Sequence, residues 1–422
     1  MINLVDKSQI TLFDYLYVFS IIIYAGAATE FARSFGAFGT VGNAIALVLT
    51  FIFLVKNRIR FTTRFLYTIA VFTLYAILTF IQNGVITPLW LGIWWMSFLV
   101  TYSICHHFRE RTFVVYETIL YHLCIVALAF WCVYLVAPGV VEQIVNVFQF
   151  STSYSDDFGT KNMIVYTLMD TDMQSLSEFV TLPRNAGYAW EPGAFACFVC
   201  FAIFCNIVRT GFSLKKNHHL FVFVAALLTT SSTTGYMILI AILILWISVN
   251  GKFFHMFYII PIAIILFQLP FVQDKMMEEY ANVDDLNIAV YDEEKMHALG
   301  RFASFQLDWE EFLRHPVLGL GGYSKGTFLM QHGYDNIATI SGIGKLLSRY
   351  GAIMSLLFII LLVKSAKTIN KLFNTNNGWL LLVVIIGSMI SYDSWMQPAV
   401  MIFWTFGLWN VESKRQCYGQ KI

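Results

Sequence analysis

The sequence predicts an all-α, polytopic integral membrane protein. Three features predict it: long apolar runs, too few charges for a water-soluble surface, and basic residues gathered in alternate connections. Hydrophobic residues make up 58% and charged residues 13% of the 422 positions, against about 45–50% and about 25% in ordinary soluble domains. A water-soluble fold could not hide that much apolar surface. The net charge of +1, with no extended basic block, excludes nucleic acid as a partner.

A bilayer core about 30 Å thick takes about 20 apolar residues at about 1.5 Å rise. Runs of that kind lie near 10–30, 37–55, 61–82, 86–105, 113–137, 191–208, 217–231, 234–250, 253–272, 340–363, 378–393 and 396–411, which predicts about 12 transmembrane helices. The seventh and eighth are joined by the tight turn Thr229 to Gly235 and form a hairpin. Met1 to Gln9 is polar and leads into an apolar run with no small-residue cleavage site, so no cleaved signal is expected.

Orientation follows from Lys and Arg, which short cytoplasmic connections retain. With the N-terminus inside, Lys56, Arg58, Arg60 and Arg64, then Arg109 and Arg111, then Arg209, Lys215 and Lys216, then Lys252, then Lys364, Lys367 and Lys371, then Lys414, Arg415 and Lys421 all fall on the cytoplasmic side. Both termini are then cytoplasmic. The single transmembrane domain, 1–422, carries two long extracytoplasmic loops, 138–190 and 273–339. Structureless connections of that length are uncommon unless they bind something or are disordered. Most of the acidic residues lie there, including Asp156, Asp157, Asp170, Asp172, Glu178, Glu278, Glu279, Asp284, Asp285, Asp292, Glu293 and Glu294, and they read chiefly as a solvated surface.

The sharpest local feature is the segment Pro183 to Phe195, where the first long loop meets the sixth apolar run. Proline is favoured at the first helical position, so Pro192 marks the helix start and Glu191 its cap. A carboxylate there suits the helix dipole and the unpaired N–H groups. The neighbouring Arg184, Tyr188, Trp190 and Phe195 also make it a candidate base beside aromatic rings that suit stacking on sugars. The second feature is 300–322. Phe302, Phe305, Trp309, Phe312 and Leu313 recur at helical spacing, with Asp308, Glu310, Glu311 and Arg314 mostly off that face. Such a helix near 301–314 can lie flat on a lipid surface and hold Arg301 at headgroup level. His315, Gly319 and Gly321 follow as weaker candidates, the glycines for backbone N–H contact with phosphate.

The third feature is in the tenth run. Ser341, Lys345 and Arg349 share one helix face, and counting back from Lys364 sets Arg349 about 22 Å up the helix. An intramembrane cation points either to snorkelling or to function. Asp393 and the Thr229 to Thr234 hydroxyls lie at similar depth, whereas Glu30 and Arg33 read as a local ion pair. Cys197 and Cys200 form a CxxC inside an apolar run, which reads as packing. The histidines, His106–His107 and His218–His219 among the basic residues and His297, His315 and His332 in the second loop, lack metal-ligand spacing. No metal and no cofactor are expected. Arg184, Arg301, Arg349 and Lys345 together suit a lipid-linked diphosphate, since arginine presents a planar fork of donors to phosphate.

Taken in order, Arg184 to Phe195 (R-x-x-G-x-x-x-E-P-G-x-F), the turn Thr229 to Gly235, Gly300-Arg301, His315-Pro316-x-x-Gly319-x-Gly321 and Ser348-Arg349-Tyr350-Gly351 resemble the O-antigen polymerases (Wzy-type) of bacterial surface-polysaccharide assembly. The resemblance implies a glycosyltransferase-C-like fold in the bacterial plasma membrane. It also implies a metal-independent enzyme that joins oligosaccharide repeat units carried on undecaprenyl diphosphate at the outer face. Arg184 and Arg301 would bind the diphosphate, and membrane lipid and a chain-length regulator are the partners it implies. Two other readings stand beside it. The related O-antigen ligases pass the glycan to lipid A core and rely on a loop histidine, for which His315 or His332 would serve. A transporter of lipid-linked oligosaccharide would bind near the midplane, often between internal repeats, and no repeat is visible here. A scaffold is the non-enzymatic alternative.

The orientation is checked by labelling: Asp170→Cys and Asp285→Cys proteins in intact cells should react with a membrane-impermeant maleimide from outside. Reaction only after the cytoplasmic face is opened would reverse the topology.

Overall fold

The computed structural model of the protein describes residues 10–24, 40–149, 160–169, 173–177, 180–212, 217–252, 256–270, 272–274, 277, 297–334 and 337–410. Glu30, Arg33, Lys215, Lys216, Lys414, Arg415, Cys417, Lys421 and the acidic loop residues named above lie outside the described residues.

Each of the apolar runs becomes helix. In chain order these are α1 (Leu12–Tyr24), α2 (Thr40–Lys56), α3 (Thr63–Asn83), α4 (Pro88–Phe108), α5 (Arg111–Val136), α6 (Pro138–Phe148), α7 (Pro192–Thr210), α8 (His218–Thr229), α9 (Thr233–Asn250), α10 (Met256–Phe267), α11 (Arg301–Arg314), α12 (Phe328–Gln331), α13 (Gly342–Phe373), α14 (Leu380–Ser391), α15 (Pro398–Trp404) and α16 (Phe406–Trp409). Among the described residues six, α3, α4, α5, α7, α9 and α13, are long and apolar enough to cross a membrane. The run near 396–411 is two short helices, and α6 lies in a stretch read from the sequence as loop. Large apolar side chains such as Phe51, Val55, Leu66, Leu74, Ile81, Leu356 and Ile360 point outward, as lipid-facing surfaces require and water-facing ones avoid.

The long connections also hold short strands that the sequence did not announce. Strands β1 (Thr160–Asn162) and β2 (Thr167–Met169) pair antiparallel, as do β3 (Met173–Ser177) and β4 (Val180–Pro183). Strands β5 (His297–Ala298) and β6 (Ile337–Ala338) pair in parallel, with His297 opposite Ile337. This last pair ties the start of α11 to the start of α13.

Helix α7 is the core. All its residues from Pro192 to Val208 are buried, packed by α5, α8, α9, α13 and α14. At its far end Arg209 donates from Nε and Nη2 to the two oxygens of Glu117 on α5, both at 2.9 Å. His219 Nδ1 lies 2.7 Å from the same carboxylate, and Asn206 donates to it at 2.9 Å. A buried charge so fully partnered fixes how α5, α7 and α8 meet, because removing any one partner strands the rest.

Helix α13 is not continuous. Gly351 has φ 65° and ψ −175°, a backbone region almost confined to glycine. The distance count that placed Arg349 on a straight helix therefore fails at this break. The freed carbonyls and N–H groups are met by a strap: Leu320 N–H donates to Ser348 O at 3.0 Å and Gly321 N–H to Arg349 O at 2.6 Å, while Pro316 O accepts from Ala352 N–H at 2.8 Å. Tyr75 Oη on α3 donates to Leu318 O at 2.8 Å and lies 3.1 Å from Tyr350 O. A methyl group at Gly351 would strike Val317 O and lie 2.7 Å from Gly319 N. Gly351→Ala should therefore cost about 3 kcal/mol or more, read as a thermal transition several degrees lower in purified protein. An unchanged transition would mean that the break is not a fixed feature.

Candidate functional site

The polar groups gather where the segment before α7, the turn between α8 and α9, the start of α11, the first turns of α13 and the end of α14 meet. Asn185 joins the first two: its N–H donates to Thr229 O and its side-chain amide to Thr229 Oγ1, both at 3.0 Å. Arg184 Nε donates to Thr230 O at 3.1 Å. From the other side Arg301 Nε donates to Ser391 Oγ at 2.7 Å, and Ser391 Oγ lies 2.6 Å from Thr234 Oγ1. The turn 229–235 and Ser391 thus link Arg184 to Arg301, and Tyr392, next to Ser391 and just beyond α14, packs against Trp190 beside Glu191, so one set of contacts gathers the three charged residues predicted from the sequence.

Glu191 occupies the cap position of α7 with extended backbone, and Pro192 follows at the first helical position. Its side chain, however, makes no capping hydrogen bond. Trp190 Nε1 donates to Glu191 Oε1 at 3.1 Å, and the indole stands edge-on to Tyr392 at 6.0 Å. Glycine at 193 is what lets Tyr392 approach, since a Cβ there would collide with its hydroxyl. Trp190 thus orients the carboxylate. Tyr188, expected at a sugar, is 1% exposed and packs on Phe195 and Phe198 at 5.8 and 5.6 Å. It belongs to the core and presents no ring face to a ligand.

Helix α11 is oriented by its polar stripe. Phe302, Trp309 and Leu313 are exposed, while Ser304, Asp308 and Glu311 are buried. Phe328 N–H donates to Glu311 Oε2 at 2.8 Å and Ile340 N–H to Ser304 Oγ at 3.1 Å. Asp308 Oδ1 accepts from Ser348 at 3.2 Å and from Thr339 at 3.4 Å. Its Oδ2 is buried without a hydrogen-bond partner. Gly344 leaves the room, because a Cβ there would sit 2.6 Å from Oδ2. Lys345 and Arg349 stand near enough to favour the carboxylate, yet burial outweighs them and, with Asp393 opposing, Asp308 is pushed up to about 7. Asp393 Oδ1 is also buried without a hydrogen-bond partner.

Asp308, Ser391 and Tyr392 were not singled out from the sequence. A usable signal was present for the first, in that Arg301, Ser304, Asp308 and Glu311 recur at helical spacing. The predicted glycines serve otherwise. Gly319 N–H donates to His315 O at 3.0 Å and Gly321 N–H to Arg349 O, so both are spent on the strap and not left for an anion. His315 ends α11 and is half-buried, its N–H satisfied by Glu311 O and Phe312 O. His332 is exposed, with Nδ1 2.8 Å from Phe328 O. Among the described residues no group of three or more His, Cys, Asp or Glu gathers as a metal set.

Chemically, the arrangement offers two arginine forks, an oriented carboxylate and a row of hydroxyls beside an aromatic wall. Residues 219–346, from α8 to the first turns of α13, match the sequence profile of the O-antigen ligase family. The match spans under a third of the chain, and it supports the ligase family and not specifically the polymerase. No curated protein matches the chain.

The titration of Asp308 has a definite sign. A carboxyl whose folded pKa is raised keeps its proton when the unfolded chain has lost it, so stability falls as pH climbs from about 4 to about 7 and then levels. Thermal unfolding of purified protein should show that decline, and Asp308→Asn should flatten it. An equal decline in the variant would remove Asp308 as its source.

Proposed function

We propose that this protein is a membrane glycosyltransferase that takes an oligosaccharide from a lipid diphosphate of the undecaprenyl type and passes it to an acceptor hydroxyl at the outer face of the bacterial plasma membrane. The observation that carries the reading is the gathering of Arg184 and Glu191, from the segment before α7, and Arg301, from the start of α11, around Ser391 and Tyr392. In the transfer the bond between the anomeric carbon and the phosphate oxygen breaks, and its electron pair leaves with the diphosphate. Arg184 and Arg301 stabilise that charge, which is where preorganised donors contribute most to such a reaction. Glu191 takes the proton from the acceptor hydroxyl as the new C–O bond forms. Lys345 and Arg349, beside Asp308, extend the positive lining along the same seam. The exposed Phe302, Trp309 and Leu313 of α11 suit contact with lipid, which would keep Arg301 level with the headgroups.

The acceptor separates two readings. The order of the short motifs favours a second lipid-linked repeat unit, hence a polymerase. The match over 219–346 favours O-antigen ligase-like transfer, with lipid A core as acceptor.

Vesicles containing the protein, given lipid-linked repeat units alone and then with lipid A core, distinguish them. Lengthened lipid-linked chains support the polymerase, and glycan on lipid A core alone supports the ligase. Arg184→Ala and Arg301→Ala should each lower transfer by about 100-fold or more without loss of the protein from the membrane. Near-normal transfer in both would remove the proposed site.

A further inference from the structure

A second charged site lies at the other end of the bundle. Helices α3 and α4 run its length: Thr79, Thr87 and Trp90 touch the strap glycines Gly321 and Gly322, whereas residues 57–62 and 106–109 sit at the opposite ends of the same helices. About 20 residues of helix set the two ends about 30 Å apart. There Arg58, Arg60, Thr62, His106, His107 and Arg109 line a hollow of about 460 Å³. Among the described residues none that lines it is acidic. Two carboxylates among the described residues border it: Asp14, which accepts from Thr11 N–H and lies 4.0 Å from His107, and Glu110, which follows Arg109 and precedes α5.

The hollow is rigidly built. Tyr102 Oη donates to Arg60 O at 2.6 Å and accepts from Thr62 N–H at 3.2 Å, and His106 stacks on the Tyr102 ring at 5.0 Å. Thr62 caps α3 by accepting from Phe65 N–H, so the positive end of a 21-residue helix dipole opens into the hollow. Arg58 and Arg109 both have positive φ, 49° and 50°, a conformation that glycine adopts freely and arginine does not. Two arginines therefore stand where the backbone alone would favour glycine, and with Arg60 they are exposed around one concave surface. Phe61 at the lip is exposed and stacks on Phe65, an aromatic placement that suits a lipid interface.

We propose that this hollow binds a phosphate group, presented by an anionic lipid headgroup or by a soluble phosphate compound, at the end of the bundle away from the candidate site. Arginine forks, a helix N-terminus and a lining without carboxylates among the described residues together specify that chemistry.

The test follows thermal unfolding of the full-length protein in phosphatidylcholine-containing micelles at fixed ionic strength. Phosphatidylglycerol or inorganic phosphate is added to wild type, to Arg58→Gln/Arg60→Gln/Arg109→Gln, and to Lys367→Gln/Lys371→Gln, which removes cations from the hollow around Asn370 and Asn374. A rise of about 4 °C in wild type, lost in the arginine variant and kept in the lysine variant, supports the site. A rise with phosphatidylglycerol alone identifies lipid as the source, and a rise with phosphate identifies a soluble one. No rise with either, or a loss shared equally by the lysine variant, overturns it. Should the triple variant not fold, Arg60→Gln alone must reduce the rise by about half, and an undiminished rise overturns the proposal.

Discussion

The break in α13 is the constraint on which the rest depends. A continuous helix through Gly351 would carry Lys345 and Arg349 straight on, away from α11. The glycine bends the chain, and the carbonyls it frees at Ser348, Arg349 and Tyr350 are repaid by backbone N–H groups of 320 and 321 and by the Tyr75 hydroxyl. Buried carbonyls without such partners would cost several kcal/mol in an apolar setting. The strap is therefore obligatory once the break exists. Because it begins directly after α11, it also fixes where that helix ends.

With α11 held at its far end by the strap and at its start by the β5–β6 pair, its rotation is set by the polar stripe. Asp308 reaches Ser348 and Thr339, Ser304 reaches Ile340, and Glu311 reaches Phe328. Turning the helix to bury Phe302 and Trp309 would strand all of these groups at once. Arg301, at the first position of the same helix, is thereby delivered to Ser391. Arg184 is tied to the Thr230 carbonyl and Arg301 to the Ser391 hydroxyl, so backbone and hydroxyl contacts set where both guanidinium groups stand.

The helices were legible because membrane spans write themselves in long apolar runs, and the segment Arg184 to Phe195 was legible because Pro192 fixes the helix start and so the register of Glu191. Other features were not. The break at Gly351 rests on a single residue inside an apolar pattern, and its stabilising partners lie far along the chain, as the bond from Gly321 N–H to Arg349 O shows. Asp308 was read only as lying off the apolar face of α11, and in water the polar side of an amphipathic helix faces solvent. Beside lipid the preference inverts, and the polar stripe turns inward. Tyr188 and Trp190 looked alike two residues apart. Their separation into core residue and carboxylate partner depends on the turn at Gly187, whose φ is 53°.

Glu191 carries the remaining tension in the site. A carboxylate at the cap of a buried helix gains most by accepting the free N–H groups of the first turn, and this one instead accepts from Trp190 beside it. The N-terminus of α7 thus keeps its positive dipole end facing the same space as Arg184 and Arg301. The carboxylate is turned by the indole, whose edge meets the Tyr392 ring. For the transfer proposed above, that orientation is what matters. A capping bond would turn the carboxylate back onto its own helix, whereas the indole holds it clear of the first turn.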